Sequence, residues 1–563
     1  MLTLFGGRLV QIQGMESGYY KTQADEDYLK NVPMPALRGT ITGSNNQILA
    51  MTIETYTITA DPPQMSDLSK AAQQLAGPLG KPAATILGLL EHPSSKDYVV
   101  LAKGVSAANE LKIANIGGIT PEPTYARVYP NGDATANVVG FSNNVNGTIT
   151  GEQGIEEEYN KLLSGTAGSE EMEYGADGQA IPGTEVKATP AVDGSSIQLT
   201  INPVLQYQAQ EACQKRVEQV HAKDCTIVII QPKTGNILAM AQWPTYNQSD
   251  VTSVAATTDL PVENTFEPGS TAKVITAAAA FEHGGQTPDS AYWIPSDGYI
   301  MEGGDAIHDA EADGGSHYTI AGIIAHSSNI GMSEVATHVS DQTQYDYLRN
   351  FGLDEPTGLG LPGESDGLLP PVSQWWASEH YTLAFGQGVD VNAVQMASVY
   401  ATIANDGVRV QPRLIEGVTN AAGKYTAAAP SPSRRVIKAK TAKQLISILQ
   451  QVPPLDASAD GGAAVINGYA VAGKTGTSQE TGPECKPAGT LCEIGASFIG
   501  MAPGNDPQAV VSVNVQDPDQ QIASFGDIVA GPVLSTVMKD TLAALQIPPQ
   551  AGLEPPHVPL NAP

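Results

Sequence analysis

Strand-forming runs at both ends of a long helical region constrain this chain more than any other feature. The stretch "CTIVIIQPKTGNILAMAQ" (225–242) reads as two strands joined by a turn at Pro232 and Gly235, and strands return in "YAVAGKTGT", "GASFIGMAP" and "QAVVSVNVQ". Between them, from Thr271 to about Asn405, helical spacing dominates. This order predicts an α/β (α+β) domain whose central antiparallel sheet is completed by segments far apart in sequence, with helices packed on it. "NPVLQYQAQEACQKRVEQV" predicts an entry helix, and Leu534, Met538, Leu542 and Leu545 mark one face of a last helix that can lie on the sheet.

Upstream the pattern changes. In "ALRGTITGSNNQILAMTIETYTITA" (36–60) polar and apolar positions alternate around an Asn-Asn turn, which predicts a hairpin, and little long periodicity follows. The acidic run from Glu156 to Glu158 reads as a solvated helix face. "SEEMEYGADGQAIPGTEVKATPAVDG" (169–194) reads as an extended connector or exposed hairpins, which places a boundary near residue 190. Residues 1–20 read either as the outer end of a membrane anchor or as an ordinary amphipathic helix. "MLTLFGGRLVQIQG" is interrupted by Arg8, and no window holds the about 18 continuous apolar residues of a span. The proline-rich end, 549–563, reads as a loose tail.

With 29 basic and 59 acidic residues the formal charge is −30, so the chain repels phosphate backbones and nucleic acid is excluded as a partner. Four cysteines fall into two close pairs, Cys213 with Cys225 and Cys485 with Cys492. Short spacing of this kind suits local disulfides of an oxidising compartment, with a free buried thiol the equal alternative at Cys213. No His-Glu-x-x-His, Cys-x-x-Cys, phosphate-binding loop or Gly-x-Ser-x-Gly occurs, so the chain carries no motif for a metal or other cofactor and none is expected.

The chemistry gathers elsewhere. In "FEPGSTAKVITAAAAFE" (266–282), Ser270 follows Pro268 and Gly269 where a helix would begin, and Lys273 lies one turn on, on the same side. Val274, Ala277, Ala278 and Phe281 mark the buried face of that helix. A lysine desolvated by this alanine-rich wall loses basicity and can take a serine proton near neutral pH. Such a pair is by itself about what chance provides among the twenty lysines of the chain. "AHSSNIGM" then supplies Ser327, Ser328 and Asn329, and "AGKTGTS" supplies Lys474, Thr475, Gly476 and Thr477. A second Lys-Thr-Gly, at Lys233, Thr234 and Gly235, falls in the predicted hairpin turn and is read as structural. Glycines 473 and 476 would let a substrate backbone lie close to their strand. His326 is read as a structural neighbour.

The ordered triple Ser-x-x-Lys, Ser-x-Asn and Lys-Thr-Gly resembles the penicillin-recognising serine transferases and hydrolases. "RGTITGSNNQILA", "RVYPNGD" and "GEQGIEEEYNKLLSG" resemble the pedestal of class B penicillin-binding proteins, division type, so the likeness covers almost the whole chain. Where that pedestal hairpin usually reads Asp-Arg-Asn-Gly, this chain has Gly43, Ser44, Asn45 and Asn46. The resemblance implies a β-rich pedestal over 21–190 and, over 191–548, a transpeptidase domain with an all-helical subdomain beside its sheet. It implies a D,D-transpeptidase of peptidoglycan synthesis, with D-alanyl-D-alanine stem peptides and β-lactams as ligands and a SEDS-type glycosyltransferase as partner, at the outer face of the bacterial cytoplasmic membrane. Ser270 would be the nucleophile and Lys273 its base, a role worth ~10²–10⁴ in rate. Ser327 would relay the proton and Asn329 would orient both the substrate amide and Lys273. Lys474, Thr475, Gly476 and Thr477 would line the substrate carboxylate, and the amides of Ser270 and Thr477 would form the oxyanion hole. A D-alanyl carboxypeptidase and a non-catalytic scaffold are the alternatives; a β-lactamase would leave the pedestal superfluous.

Overall fold

A computed structural model describes residues 2–19, 29–93, 95, 98–145, 148–173, 181, 183–184, 187–251, 258–296, 298–300, 306–310, 315–455, 464–481, 485, 491–550 and 554–562. The pedestal is built on the expected hairpin. β1 (Ile41–Thr42) and β2 (Ile48–Ala60) pair antiparallel across a turn in which Asn46 takes a φ of 62°, a left-handed conformation that asparagine tolerates. β2 is long enough to carry both β3 (Val99–Ser106) and β4 (Ile119–Val128). Helices Leu68–Leu79 and Ala83–Glu91 cover this sheet through Leu75, Ile86 and Leu90. They fall where little periodicity is expected, because each is short and the first is interrupted by Pro78. β5 (Ser196–Leu199) runs parallel to β1 and antiparallel to Ile415–Thr419, so a strand from beyond the helical region extends the pedestal sheet. Of the acidic connector, residues 174–180, 182 and 185–186 lie outside the described residues; the rest includes strands Gly168–Glu173 and Lys187–Thr189.

The acidic run is not a solvated face. Glu157 and Glu158 are exposed, but Glu156 is fully buried between Arg38 at 2.6 Å and Arg127 at 2.7 Å. Periodicity cannot distinguish a carboxylate that faces water from one whose partners arrive from distant strands.

The second domain enters through α1 (Pro203–Val220), β6 (Asp224–Ile230) and β7 (Ile237–Trp243). Then come α2 (Lys273–Glu282), β8 (Ala291–Ile294), β9 (Ser316–Thr319), α3 (Ile320–Ala325) and α4 (Asn329–Ala336). After α5 (Ala393–Ala404) and α6 (Ala439–Leu449), the chain closes with β10 (Ala472–Thr481), β11 (Leu491–Ala502), β12 (Ala509–Gln516) and α7 (Gly531–Ala544). The expected antiparallel sheet forms in the order β7-β6-β12-β11-β10, which leaves β10 on the edge. Alternate residues serve two cores, as expected for strands buried on both faces. Ile227, Ile229, Val511 and Val513 join α1 and α7, while Val228, Ile230, Ile499 and Met501 join the helices around α2 and α5. Leu534, Met538 and Leu542 are buried on the sheet, as their spacing predicts.

The cysteines form the two disulfides their spacing suits, Cys213 to Cys225, which ties α1 to β6, and Cys485 to Cys492, so the free-thiol alternative at Cys213 does not hold. Two expectations change. Helix α2 has no exposed face over its first two turns, because sheet and helices enclose residues 273 to 280 on every side. The proline-rich end is docked rather than loose: Thr319 donates its amide to Leu560 O at 3.0 Å, and Ala562 donates to His317 O at 3.0 Å.

Replacing Glu156 with Gln leaves two buried guanidinium groups without their counter-charge. We expect the urea transition of the pedestal to lose about 3–5 kcal/mol, the usual cost of breaking a buried ion pair from one side. A loss below about 1 kcal/mol, the size expected of an exposed pair, would contradict this account.

Candidate active site

Ser270 lies in the 3₁₀ turn Gly269–Ala272 that opens into α2. The turn is fixed from both sides. Gly269 has a φ of 53° and donates its amide to Gly386 O at 3.0 Å, and the Tyr400 hydroxyl on α5 donates to Thr271 O at 2.9 Å. Ser270 is half-buried and Lys273 is wholly buried.

Two lysines meet on one serine. α3 ends in a residue with left-handed backbone, Ser327, whose φ is 61°. Glycine usually takes this place, and a serine there costs roughly 1–3 kcal/mol. The Ser327 carbonyl accepts from Lys273 Nζ at 2.5 Å, and the same amine lies 3.4 Å from Ser327 Oγ. From the edge strand, Lys474 Nζ donates to that Oγ at 2.9 Å and to Thr475 O at 3.1 Å. Both lysine side chains are fully buried. Burial above all, and then the charge of Lys474, push the Lys273 amine well below the usual lysine range; the Asp309 carboxylate works in the opposite sense.

Other expected residues are also placed. Thr475 and Thr477 are half-buried on β10, and the Thr477 hydroxyl accepts the Gly526 amide at 3.2 Å, which leaves its own proton free to donate. Asn329 opens α4, but its side chain donates to His308 O at 3.2 Å and makes no hydrogen bond to Lys273. Nor does Ser270 Oγ hydrogen-bond Lys273 among the described residues; the two are brought to one turn but not joined. Glycines 473 and 476 are also required by packing within the domain. A Cβ at 473 would meet the Phe498 ring at 2.8 Å, and one at 476 would meet Ser497 Oγ at 2.4 Å. The second Lys-Thr-Gly is structural: Gly235 has a φ of 73° in the β6–β7 turn, and Lys233 forms an exposed ion pair with Asp506. His326 stacks on Tyr318 at 4.7 Å.

One residue escapes sequence reasoning. Asp309 accepts the Ser328 hydroxyl at 2.7 Å with one oxygen, and the amides of Asn329 and Ile330 at 2.5 and 3.0 Å with the other. The local cap of α4 is Ser328, whose hydroxyl accepts the Gly331 amide at 2.9 Å; Asp309 supplements it from a separate segment and fixes the turn that carries Ser327. Asp309 precedes the helix by twenty positions, so no local pattern reveals it.

The arrangement can therefore place an amine of lowered basicity, a hydroxyl able to relay a proton and a second buried lysine beside a half-buried serine. Among the described residues the outer edge of β10 has no sheet partner, so its backbone can pair with an extended chain.

A family model described as the penicillin-binding protein transpeptidase domain matches residues 225–539, and one described as the penicillin-binding protein dimerisation domain matches 33–199. The chain is 34% identical to penicillin-binding protein PbpB of Mycolicibacterium smegmatis, over 93% of this chain and 85% of that one. It is 28% identical to the peptidoglycan D,D-transpeptidase FtsI of Escherichia coli, over 97% and 90%. Its fold superposes on the crystal structure of penicillin-binding protein 3 from Mycobacterium tuberculosis complexed with aztreonam with a TM-score of 0.73, at 29% identity, over 94% of this chain and 100% of that one.

Asp309→Asn separates the charge from the cap. Acylation that needs a neutral Lys273 rises with pH through the Lys273 pKa and then levels. Removing a charge that favours the ammonium form lowers that pKa, so the rising limb of penicillin acylation moves to lower pH. The plateau falls by no more than the ~0.5–2 kcal/mol a helix cap is worth. A limb that stays in place or moves up would overturn the electrostatic role.

Proposed function

The chain belongs to the class B penicillin-binding proteins, and on that premise we propose that its peptidoglycan D,D-transpeptidase activity runs through an acyl-enzyme on Ser270. The observation that carries this reading is Ser327 Oγ, held between Lys273 and Lys474 beside the Ser270 turn and an open strand edge.

A stem peptide ending in D-alanyl-D-alanine pairs along β10, with its terminal carboxylate toward Lys474, Thr475 and Thr477. The Thr477 hydroxyl is suited to donate there because its oxygen already accepts from Gly526. Lys273, neutral by burial, takes the Ser270 proton as Oγ attacks the penultimate carbonyl. The developing oxyanion is met by the amides of Ser270 and Thr477, each such donor being worth roughly 10²–10³ in rate. The proton then passes through Ser327 to the leaving nitrogen, and free D-alanine departs. An amine of a second stem reverses the sequence and forms the crosslink. In the resting arrangement Lys273 donates to the Ser327 carbonyl, so its rotation toward Ser270 belongs to substrate binding. Asn329 serves the substrate amide and, with its side chain on His308 O, does not orient Lys273 in the resting arrangement.

The domain limits proposed are a pedestal over 21–190 and a transpeptidase domain over 191–548. We place the protein at the outer face of the cytoplasmic membrane, a reading supported by its two disulfides, and take a SEDS-type glycosyltransferase as the pedestal's partner. Among the described residues no helix is long and apolar enough to cross a membrane.

Labelled penicillin is expected to form one stable adduct, on Ser270, that Ser270→Ala abolishes; an adduct that persists in that variant removes the assignment. Supplied with a partner polymerase and lipid-linked pentapeptide strands, the protein is expected to yield crosslinked dimers by mass spectrometry. Monomeric tetrapeptide alone would make it a carboxypeptidase, and unchanged strands would make it a scaffold.

A further inference from the structure

We propose that β9, the start of α3 and the end of α6 form a groove for an extended, proline-containing peptide, filled in cis by residues 556–562, and that this segment holds the turn carrying Ser327. Its backbone adds to a sheet. β8 pairs with one edge of β9, and the terminal segment bridges the other, antiparallel at Tyr318 and Asn561. Thr319 donates its amide to Leu560 O at 3.0 Å and its hydroxyl to Pro559 O at 2.6 Å, and Ala562 donates to His317 O at 3.0 Å. Beyond α6, the Gln451 side chain donates to Pro556 O at 2.8 Å. This is strand addition, in which main-chain bonds hold the peptide and alternate side chains select it.

The side chains alternate as that mode requires. Val558 and Leu560 pack against the main core, while His557, Pro559 and Asn561 are exposed. Pro555, Pro556 and Pro559 carry no N–H and favour extended backbone, which lowers the entropy lost on docking.

Gly322 gives independent support from the receiving side. It lies inside α3, where glycine is less favourable than alanine by roughly 1 kcal/mol, and its φ is not positive. A Cβ there would lie 1.9 Å from Leu560 O, with nothing nearer than that residue to exclude it. The docked segment is what gives a glycine at this position a function.

The segment reaches the active site through a short rigid element. Thr319, which it holds, caps α3 by accepting the Gly322 amide at 3.0 Å; α3 spans only six residues, and Ser327 follows it. Tyr318 on β9 also stacks on His326, the neighbour of Ser327. Displacing the segment frees the start of α3, and the carbonyl and hydroxyl that hold Lys273 and Lys474 move with its end. This consequence for catalysis rests on the assignment of Ser270 above; occupancy of the groove does not.

Gly322→Ala in the full chain tests both parts. Helix propensity alone would make α3 firmer, whereas the new methyl group must expel Leu560. We expect faster hydrogen exchange at the Ala562 and Thr319 amides, and a fall in the second-order rate of penicillin acylation of roughly ten- to a hundredfold, as a misplaced catalytic group produces. Leu560→Asp should reproduce both effects, and combining it with Gly322→Ala should add little. Unchanged exchange at Ala562 in both variants would overturn the groove, and released amides with unchanged acylation would overturn the link to Ser327. If the parent protein takes up no penicillin, the Ser270 assignment fails while the exchange measurement still decides the groove.

Discussion

Two buried lysines sharing one serine hydroxyl is the arrangement on which the rest of this molecule depends. Lys273 and Lys474 are both shielded from water, and each would rather be solvated or paired with an acid. Their meeting at Ser327 is held by what packs around it: the edge strand that carries Lys474 and the enclosed helix that carries Lys273. The result is chemically useful because it is electrostatically unfavourable. A lysine that water could reach would stay protonated and could not act as a base at neutral pH.

Strain and capping bring Ser327 to that meeting point. A serine with left-handed backbone persists only where neighbouring structure determines it, and here the constraint comes from both directions. Asp309 grips the following helix by three hydrogen bonds, while Thr319 and the terminal segment grip the preceding one. The same carboxylate that fixes the turn also opposes the loss of basicity at Lys273. Position and proton affinity are therefore both influenced by one group, through its hydrogen bonds in the first case and its charge in the second.

How much of this was legible in the sequence follows from the range over which each feature is determined. Antiparallel strands at both ends, the 41–60 hairpin and the last helix are written in local alternation or spacing, and all three form. The three motifs that carry Ser270, Ser327 and Lys474 are legible because each is a short run of residue types, and the structure brings Lys273, Ser327 and Lys474 together. What stayed hidden is non-local. Glu156 looks solvated until Arg38 and Arg127 arrive from other strands. Asp309 braces a helix start from twenty positions away, and a proline-rich end docks as an extended segment only because β9 offers it an edge. Gly473 and Gly476 show that close approach can be read from a glycine, but not the identity of what approaches, which here includes Phe498 and Ser497.

The junction between the domains follows the same logic. β5 joins β1 to Ile415–Thr419, so the pedestal sheet is continuous with strands that leave the helical region. Beside it, Asn137 of the pedestal donates to Met240 O and to Asp259, both at 3.0 Å. Asp259 is wholly buried, and burial pushes its carboxyl up to about 8. A carboxyl raised in the fold binds its proton more tightly folded than unfolded, so it weakens the folded state as pH rises from the ordinary carboxylate range through about 8. The junction is thus firmest where Asp259 stays neutral. The pedestal is therefore joined to the second domain twice, by a sheet shared with Ile415–Thr419 and by buried hydrogen bonds from Asn137 to Met240 O on β7 and to Asp259.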